Sequence, residues 1–164
     1  MSASDTDIVA ASTQLGRPVK GVVAVAHRCE CGLPDVVETA PRLPDGTPFP
    51  TLFYVTCPRL VSAIGTLEGS GLMREMSERL ETDPELAARY KAGHEDYLAR
   101  RDAHGLVEEI DGISAGGMPD RVKCLHALVG HSLAVGPGVN PFGDQALEQL
   151  PAWGAKGPCV DVDG

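Results

Sequence analysis

The stretch that decides the fold is Asp120–Val135, DRVKCLHALVGHSLAV. At about 100° per residue, Val122, Leu125, His126, Val129 and Leu133 share one helical face, and Cys124, Ala127, Leu128, His131 and Val135 share the opposite one. A helix that is apolar on both faces belongs inside a domain. Its charged residues, Asp120, Arg121 and Lys123, crowd its first turn. Pro119 before it and Gly136-Pro137 after it have the usual order for a helix start and stop. The reading is therefore one central buried helix over 120–135.

Outward from that helix, three short apolar runs read as strands. Val19–Ala26 is valine-rich, Asp35–Thr39 follows the tight CECGLP segment, and Thr51–Thr56 is TLFYVT. The first two form a hairpin. Between the second and third lies PRLPDGTPFP, whose prolines and Asp-Gly pair demand an irregular loop. Helices are expected over Asp5–Leu15, from Pro58 to Glu68, over Leu72–Leu80 and over Gln145–Leu150. Asp83-Pro84-Glu85 supplies an N-cap, a proline at N1 and an acid in the first turn of a helix reaching Asp102. The inward stripe of that helix is Leu86, Tyr90, His94, Tyr97, Leu98 and Arg101. The fold class is α+β: a small antiparallel three-stranded sheet packed against a mainly helical remainder. One domain is expected over residues 5–150, with a disordered N-terminus over 1–4 and a loose tail over 151–164.

Composition narrows the partners. The chain has 164 residues, 43% of them hydrophobic, and a net charge of −9. This length supports one core. The acidic balance disfavours sequence-independent binding to nucleic acid, and 4% aromatic content leaves little for base stacking. No run approaches the roughly 18 apolar residues that a membrane span needs. MSASDTDIVA has no basic, apolar leader, so a cytoplasmic location is expected. Five cysteines, an odd number in a chain of this size, suit free thiols or metal ligands better than a disulfide framework.

Cys29 and Cys31 sit in a turn, Cys57 ends the third strand, and Cys124 opens the central helix. These are places where distant sequence converges, and four ligands drawn from Cys29, Cys31, Cys57, Cys124, His126 and His131 would satisfy a tetrahedral zinc, the other reading being buried free thiols. Cys124 and His131 are about 10 Å apart if both are helical. Cys124 and His126 share a metal only if Cys124 lies in a non-helical first turn. A second expected site is an anion cradle at Gly116, Gly117, Arg121 and Lys123, where a glycine loop feeds a helix N-terminus. Cys124 and His94 are candidate catalytic residues, Cys124 as a nucleophile paired with a histidine.

The phrases GRPVKGVVAVAHRC, PRLPDGTPFPTLFYVTCP, LEGSGLMREMSERLETDPELAARY and GGMPDRVKCLHALVGHSLAVGPGVNPFGD resemble a family of actinobacteria known as domain of unknown function number five hundred and one. The resemblance covers roughly Leu15–Asp144. It implies no catalytic residues. Other members need not carry a thiol at the position of Cys31, so the resemblance shifts weight to Cys29, Cys57 and Cys124. With His126 these are the expected zinc ligands, and Cys31 and His131 are secondary candidates; Cys159 lies outside the matching region. Genes of the family often lie near those for enolase, a septum-formation initiator and an exopolyphosphatase, which implies a protein partner related to division or the envelope.

The expected function is a zinc-binding structural or regulatory protein whose metal joins sheet and central helix. The alternative is a small enzyme with an open metal site or a Cys–His pair, acting on a phosphate- or carboxylate-bearing anion.

Overall fold

A computed structural model describes residues 2–162; Met1, Asp163 and Gly164 lie outside the described residues. The elements in chain order are α1 (Asp5–Leu15), β1 (Val22–Arg28), β2 (Pro34–Thr39), β3 (Phe53–Val55), α2 (Pro58–Glu68), α3 (Leu72–Thr82), α4 (Pro84–Asp102), a 3-10 turn (Glu108–Ile110), α5 (Leu125–Val135) and α6 (Pro141–Gln149). The strands form one antiparallel sheet in the order β1-β2-β3, with Val25 opposite Val37 and Val36 opposite Val55. This is the α+β architecture expected from the sequence. None of the described helices is long and apolar enough to cross a membrane.

Local chemistry sets the helix ends. Ser4 and Asp7 form a capping box at α1, Asp83 accepts the Leu86 N–H at α4, and Asn140 accepts the Gly143 N–H at α6. Each satisfies a donor that a helix start leaves unpaired. Because Asn140 is the cap and Pro141 takes the first position, α6 starts four residues before the expected Gln145.

Val36, Phe53 and Val55 on one sheet face meet Leu125, Leu128 and Val129 of α5, and Leu60, Ile64, Met76, Tyr90, Tyr97 and Phe142 complete the core. Close contact of α5 with β3 depends on Gly130, where a Cβ would stand 2.9 Å from the Phe53 carbonyl oxygen. Tyr97 is fully buried, and its Oη accepts the Leu52 N–H at 2.6 Å beside the start of β3. Arg101, 1% exposed, donates to the carbonyls of Pro50 and Ile110 at 3.0 and 2.7 Å, pinning the proline-rich loop to the 3-10 turn.

The central helix departs from expectation: it begins at Leu125, not Asp120. The segment 120–124 spends its backbone groups on other elements. Val122 N–H donates to Ser77 Oγ at 3.0 Å, the Arg121 carbonyl accepts from Tyr90 Oη at 2.9 Å, and Lys123 N–H donates to the Gly116 carbonyl at 2.7 Å. Groups engaged in this way are lost to a helical ladder.

Residues at both ends are tied to the sheet. Ser2 bridges Ala24. Over the described part of the expected loose tail, Trp153 Nε1 donates to Asp35 Oδ2 at 3.1 Å, and Arg59 donates to the carbonyls of Gly157 and Pro158 at 2.8 and 3.2 Å.

Arg28 holds Asp7 with two hydrogen bonds of 2.9 Å, fastening α1 to β1. The Arg28 guanidinium lowers the Asp7 carboxyl from 3.8 to about 2. A carboxyl depressed on folding stabilises the fold above its unfolded pKa, and that contribution fades as pH falls toward the folded value. Between about pH 4 and pH 2, urea midpoints are therefore expected to fall more steeply for the parent chain than for Asp7→Asn. Parallel curves would show that the pair contributes nothing to acid sensitivity.

Candidate metal centre

α2 runs from the sheet edge to Glu68, and its end meets the start of α5. Cys124 is the N-cap of α5, with extended φ −152° and ψ 112°, and makes no side-chain cap bond. The first turn is thus open at Cys124, which is the condition for sharing a metal with His126. The ligating atoms of Glu68, Cys124 and His126 all lie within 4.8 Å of one another, and each residue is half-buried. No other group of three or more His, Cys, Asp or Glu side chains comes together in this way among the described residues.

Hydrogen bonds orient the three. Glu68 Oε2 accepts the Leu125 N–H at 2.8 Å and lies 3.0 Å from His126 Nδ1. The Val61 carbonyl lies 3.2 Å from His126 Nε2. A carbonyl only accepts, so Nε2 carries a hydrogen and Nδ1 is the nitrogen turned toward Glu68. At neutral pH the ring carries hydrogens on both nitrogens and Nδ1–H donates to Glu68, so a cation bound here would take the place of that proton. Hydrogen bonding to Cys124, and then to Glu68, raises His126 to about 9 against the opposing effect of burial.

Glu68 was assigned no role from sequence. Its signal is positional: an acid at the C-terminal end of a helix opposes the macrodipole unless it has a positive partner. That partner is the N-terminal end of α5, whose Leu125 N–H it caps across the gap between helices.

The four expected ligands do not converge. Cys57 caps the start of α2, at the far end of an 11-residue helix from Glu68, a separation of about 16 Å. Cys57 is fully buried beside Cys159, and burial pushes its thiol up to about 11. Cys159 accepts a hydrogen bond from Gln14 Nε2 at 3.3 Å. Cys29 lies in the β1–β2 turn with Cys31, and burial raises its thiol. Its sulfur occupies the space where a Cβ on Gly154 would stand, 2.6 Å away. All five cysteines are free thiols.

The histidines divide in the same way. His131 is fully buried; its Nδ1 accepts from Asn140 Nδ2 at 3.1 Å, and its Nε2 donates to Asp96 at 2.9 Å. Its ring stacks on Phe53 at 6.0 Å and meets Tyr97 edge-on at 5.1 Å. With both nitrogens satisfied, His131 is a core residue. His94 lies 2.6 Å from Ser114 Oγ, and burial lowers its pKa. Ser114 stands in Gly112-Ile113-Ser114-Ala115-Gly116, the spacing of a nucleophile elbow. It is 2% exposed in an irregular segment, without the strand-turn-helix setting that lifts such a serine toward substrate.

The glycine loop folds back on itself: the Gly117 carbonyl accepts from Asp120 and Arg121 at 3.2 and 3.1 Å. Since α5 starts at Leu125, and Glu68 holds the Leu125 N–H, Gly116 and Gly117 do not open onto a helix N-terminus. Arg121 and Lys123 are exposed beside them.

One further arrangement had no counterpart in the sequence reading. Asp35 is fully buried, lies 2.7 Å from His27 Nδ1, and accepts from Trp153 Nε1. The hydrogen bond to Asp35 raises the His27 pKa. These residues border a cavity of about 380 Å³ at the opposite end of α5 from Cys124, against Leu133.

A family model described as protein of unknown function (DUF501) matches residues 25–148. The chain belongs to this family. No curated protein and no solved structure matches it. The DUF501 span contains Glu68, Cys124 and His126 together with His27 and Asp35, while α1, Trp153 and Cys159 fall outside it.

Proposed function

We propose that this DUF501 protein binds one zinc ion through Glu68, Cys124 and His126, and that the ion serves a structural and regulatory role by clamping the end of α2 to the start of α5. The observation that supports the reading is the approach of one ligating atom from each of Glu68, Cys124 and His126 to within 4.8 Å of the others. Zinc bonds of about 2.0–2.2 Å to nitrogen and oxygen set tetrahedral ligand atoms about 3.3 Å apart. The His126–Glu68 separation of 3.0 Å needs little adjustment to reach that value. The hydrogen on Nε2, held by Val61, is the outer contact that ordinarily fixes the tautomer of a metal-bound histidine.

Here the metal joins helix to helix, not sheet to helix. Three protein ligands leave a fourth position for water or for a donor from outside, so the ion is exchangeable in a way that a closed four-ligand site is not. Half-burial of all three residues supports exchange with solvent. Five free thiols suit a reducing compartment, and we place the protein in the cytoplasm.

Calorimetric titration of the chelator-treated full chain with zinc is expected to show one ion per chain and a rise in melting temperature with zinc concentration, because a ligand that binds the native state stabilises it. Absence of a stoichiometric transition, or zinc that leaves the melting temperature unchanged, would overturn the reading.

A further inference from the structure

The outer face of the sheet, away from the metal cluster, carries a cavity of about 320 Å³. α1 covers only one end of that face, where Gln14 Nε2 donates to the Pro34 carbonyl at 2.7 Å. The helix then stops at Leu15, and Gly16 turns the chain away in the left-handed conformation. Beyond it, Val22, Val37, Leu43, Phe49 and Tyr54 line the cavity with apolar surface, the two rings standing 6.0 Å apart.

Two exposed cations, Arg17 and Lys20, line the same cavity. Neither forms an ion pair among the described residues. Arg17 is oriented by donating from Nη2 to Tyr54 Oη at 3.2 Å, and Lys20 acts only through space on Asp45. The cavity thus joins an apolar floor to two cations that no ion pair neutralises.

We propose that this cavity binds a free medium-chain carboxylate, its hydrocarbon laid on Val37, Phe49 and Tyr54 and its head held by Arg17 and Lys20. A neutral apolar molecule leaves the two cations unused, and a small inorganic anion leaves the floor wet. An amphipathic anion satisfies both halves of the site. The cavity volume falls in the range of about 300–1,000 Å³ typical of small-molecule sites, which join apolar walls to a few placed polar groups. Arg17 offers the planar fork that matches a carboxylate, and Lys20 adds a point charge.

The test is a titration of the isotope-labelled full chain with octanoate, decanoate and octanol, followed through backbone amide resonances. Octanoate is expected to shift Val22, Val37 and Tyr54, and decanoate to bind about fifteenfold more tightly, since each of its two extra methylenes is worth about fourfold when sheltered. Octanol is expected to bind about tenfold more weakly than octanoate. The double variant R17A/K20A, altered only at exposed positions, should lose the preference for carboxylate while still taking up octanol. Several results would overturn the proposal: no shifts in the cavity at about 5 mM decanoate, equal binding of octanol and octanoate, or the same preference in R17A/K20A. Shifts that arise without ligand as protein concentration rises would overturn it too, by assigning the face to a second copy of the chain.

Discussion

Cys124→Ser is expected to weaken zinc binding by about a hundredfold or more, measured by calorimetry on the full chain. A thiolate is the softest donor in the cluster, and a serine hydroxyl at the same place is neutral and a poor zinc ligand. The backbone at Cys124 is an extended N-cap with no side-chain capping bond, so serine leaves the helix geometry intact, and its hydroxyl can keep the hydrogen bond with His126. Serine is itself a favourable capping residue, which separates loss of metal from loss of fold. Cys57→Ser is the matched control. It places a hydroxyl in a fully buried site beside Cys159, so it is expected to lower stability while leaving zinc affinity within about twofold. Equal zinc binding by Cys124→Ser and the parent chain would remove Cys124 from the ligand set.

Gly143→Ala is expected to destabilise the fold by about 3 kcal/mol or more, lowering the melting temperature by about 10 °C. Gly143 lies in the first turn of α6, where a Cβ would overlap both the Leu128 carbonyl oxygen and the Ser132 hydroxyl of α5. Backbone cannot yield as a flexible side-chain tip can. The two helices must separate, and Phe142 and Ala146, both fully buried, would be drawn out of the core with α6. The Asn140 cap, which accepts the Gly143 N–H at 3.0 Å, would be stretched by the same movement. A thermal melt within about 2 °C of the parent would show that α5 and α6 pack with more slack than their crossing implies.

Much of this architecture was legible because its signals are local. Pro58 after Cys57, Asp83 before Pro84 and the apolar spacing of Asp5–Leu15 each act within a few residues, and the helices they mark have the expected bounds. Of the expected stripe, Leu86, Tyr90, His94, Tyr97 and Arg101 are buried as the helical period requires, while Leu98 at its margin is half-buried. Apolar periodicity could not show where α5 begins, because Ser77, Tyr90 and Gly116 take the backbone groups of Arg121, Val122 and Lys123 from three separate places. The contacts of the described part of the C-terminal segment are illegible for a similar reason: Trp153 donates to Asp35, more than a hundred residues earlier in the chain.

The candidate site divides along the same line. Cys124 and His126 were recognisable as ligand types near one helix start. Glu68 was not, since its proximity to them exists only once α2 packs end-on against α5. Cys29 and Cys57 had suitable chemistry at suitable element ends, yet the sheet carries Cys29 to the turn packed against Gly154, and α2 holds Cys57 at its opposite end from Glu68.

X-ray absorption at the zinc edge of the loaded full chain reads the ligand set itself. One sulfur neighbour is expected at about 2.3 Å, with nitrogen and oxygen neighbours at about 2.0–2.2 Å. A shell of two or more sulfurs, or one with none, would contradict the set of Glu68, Cys124 and His126.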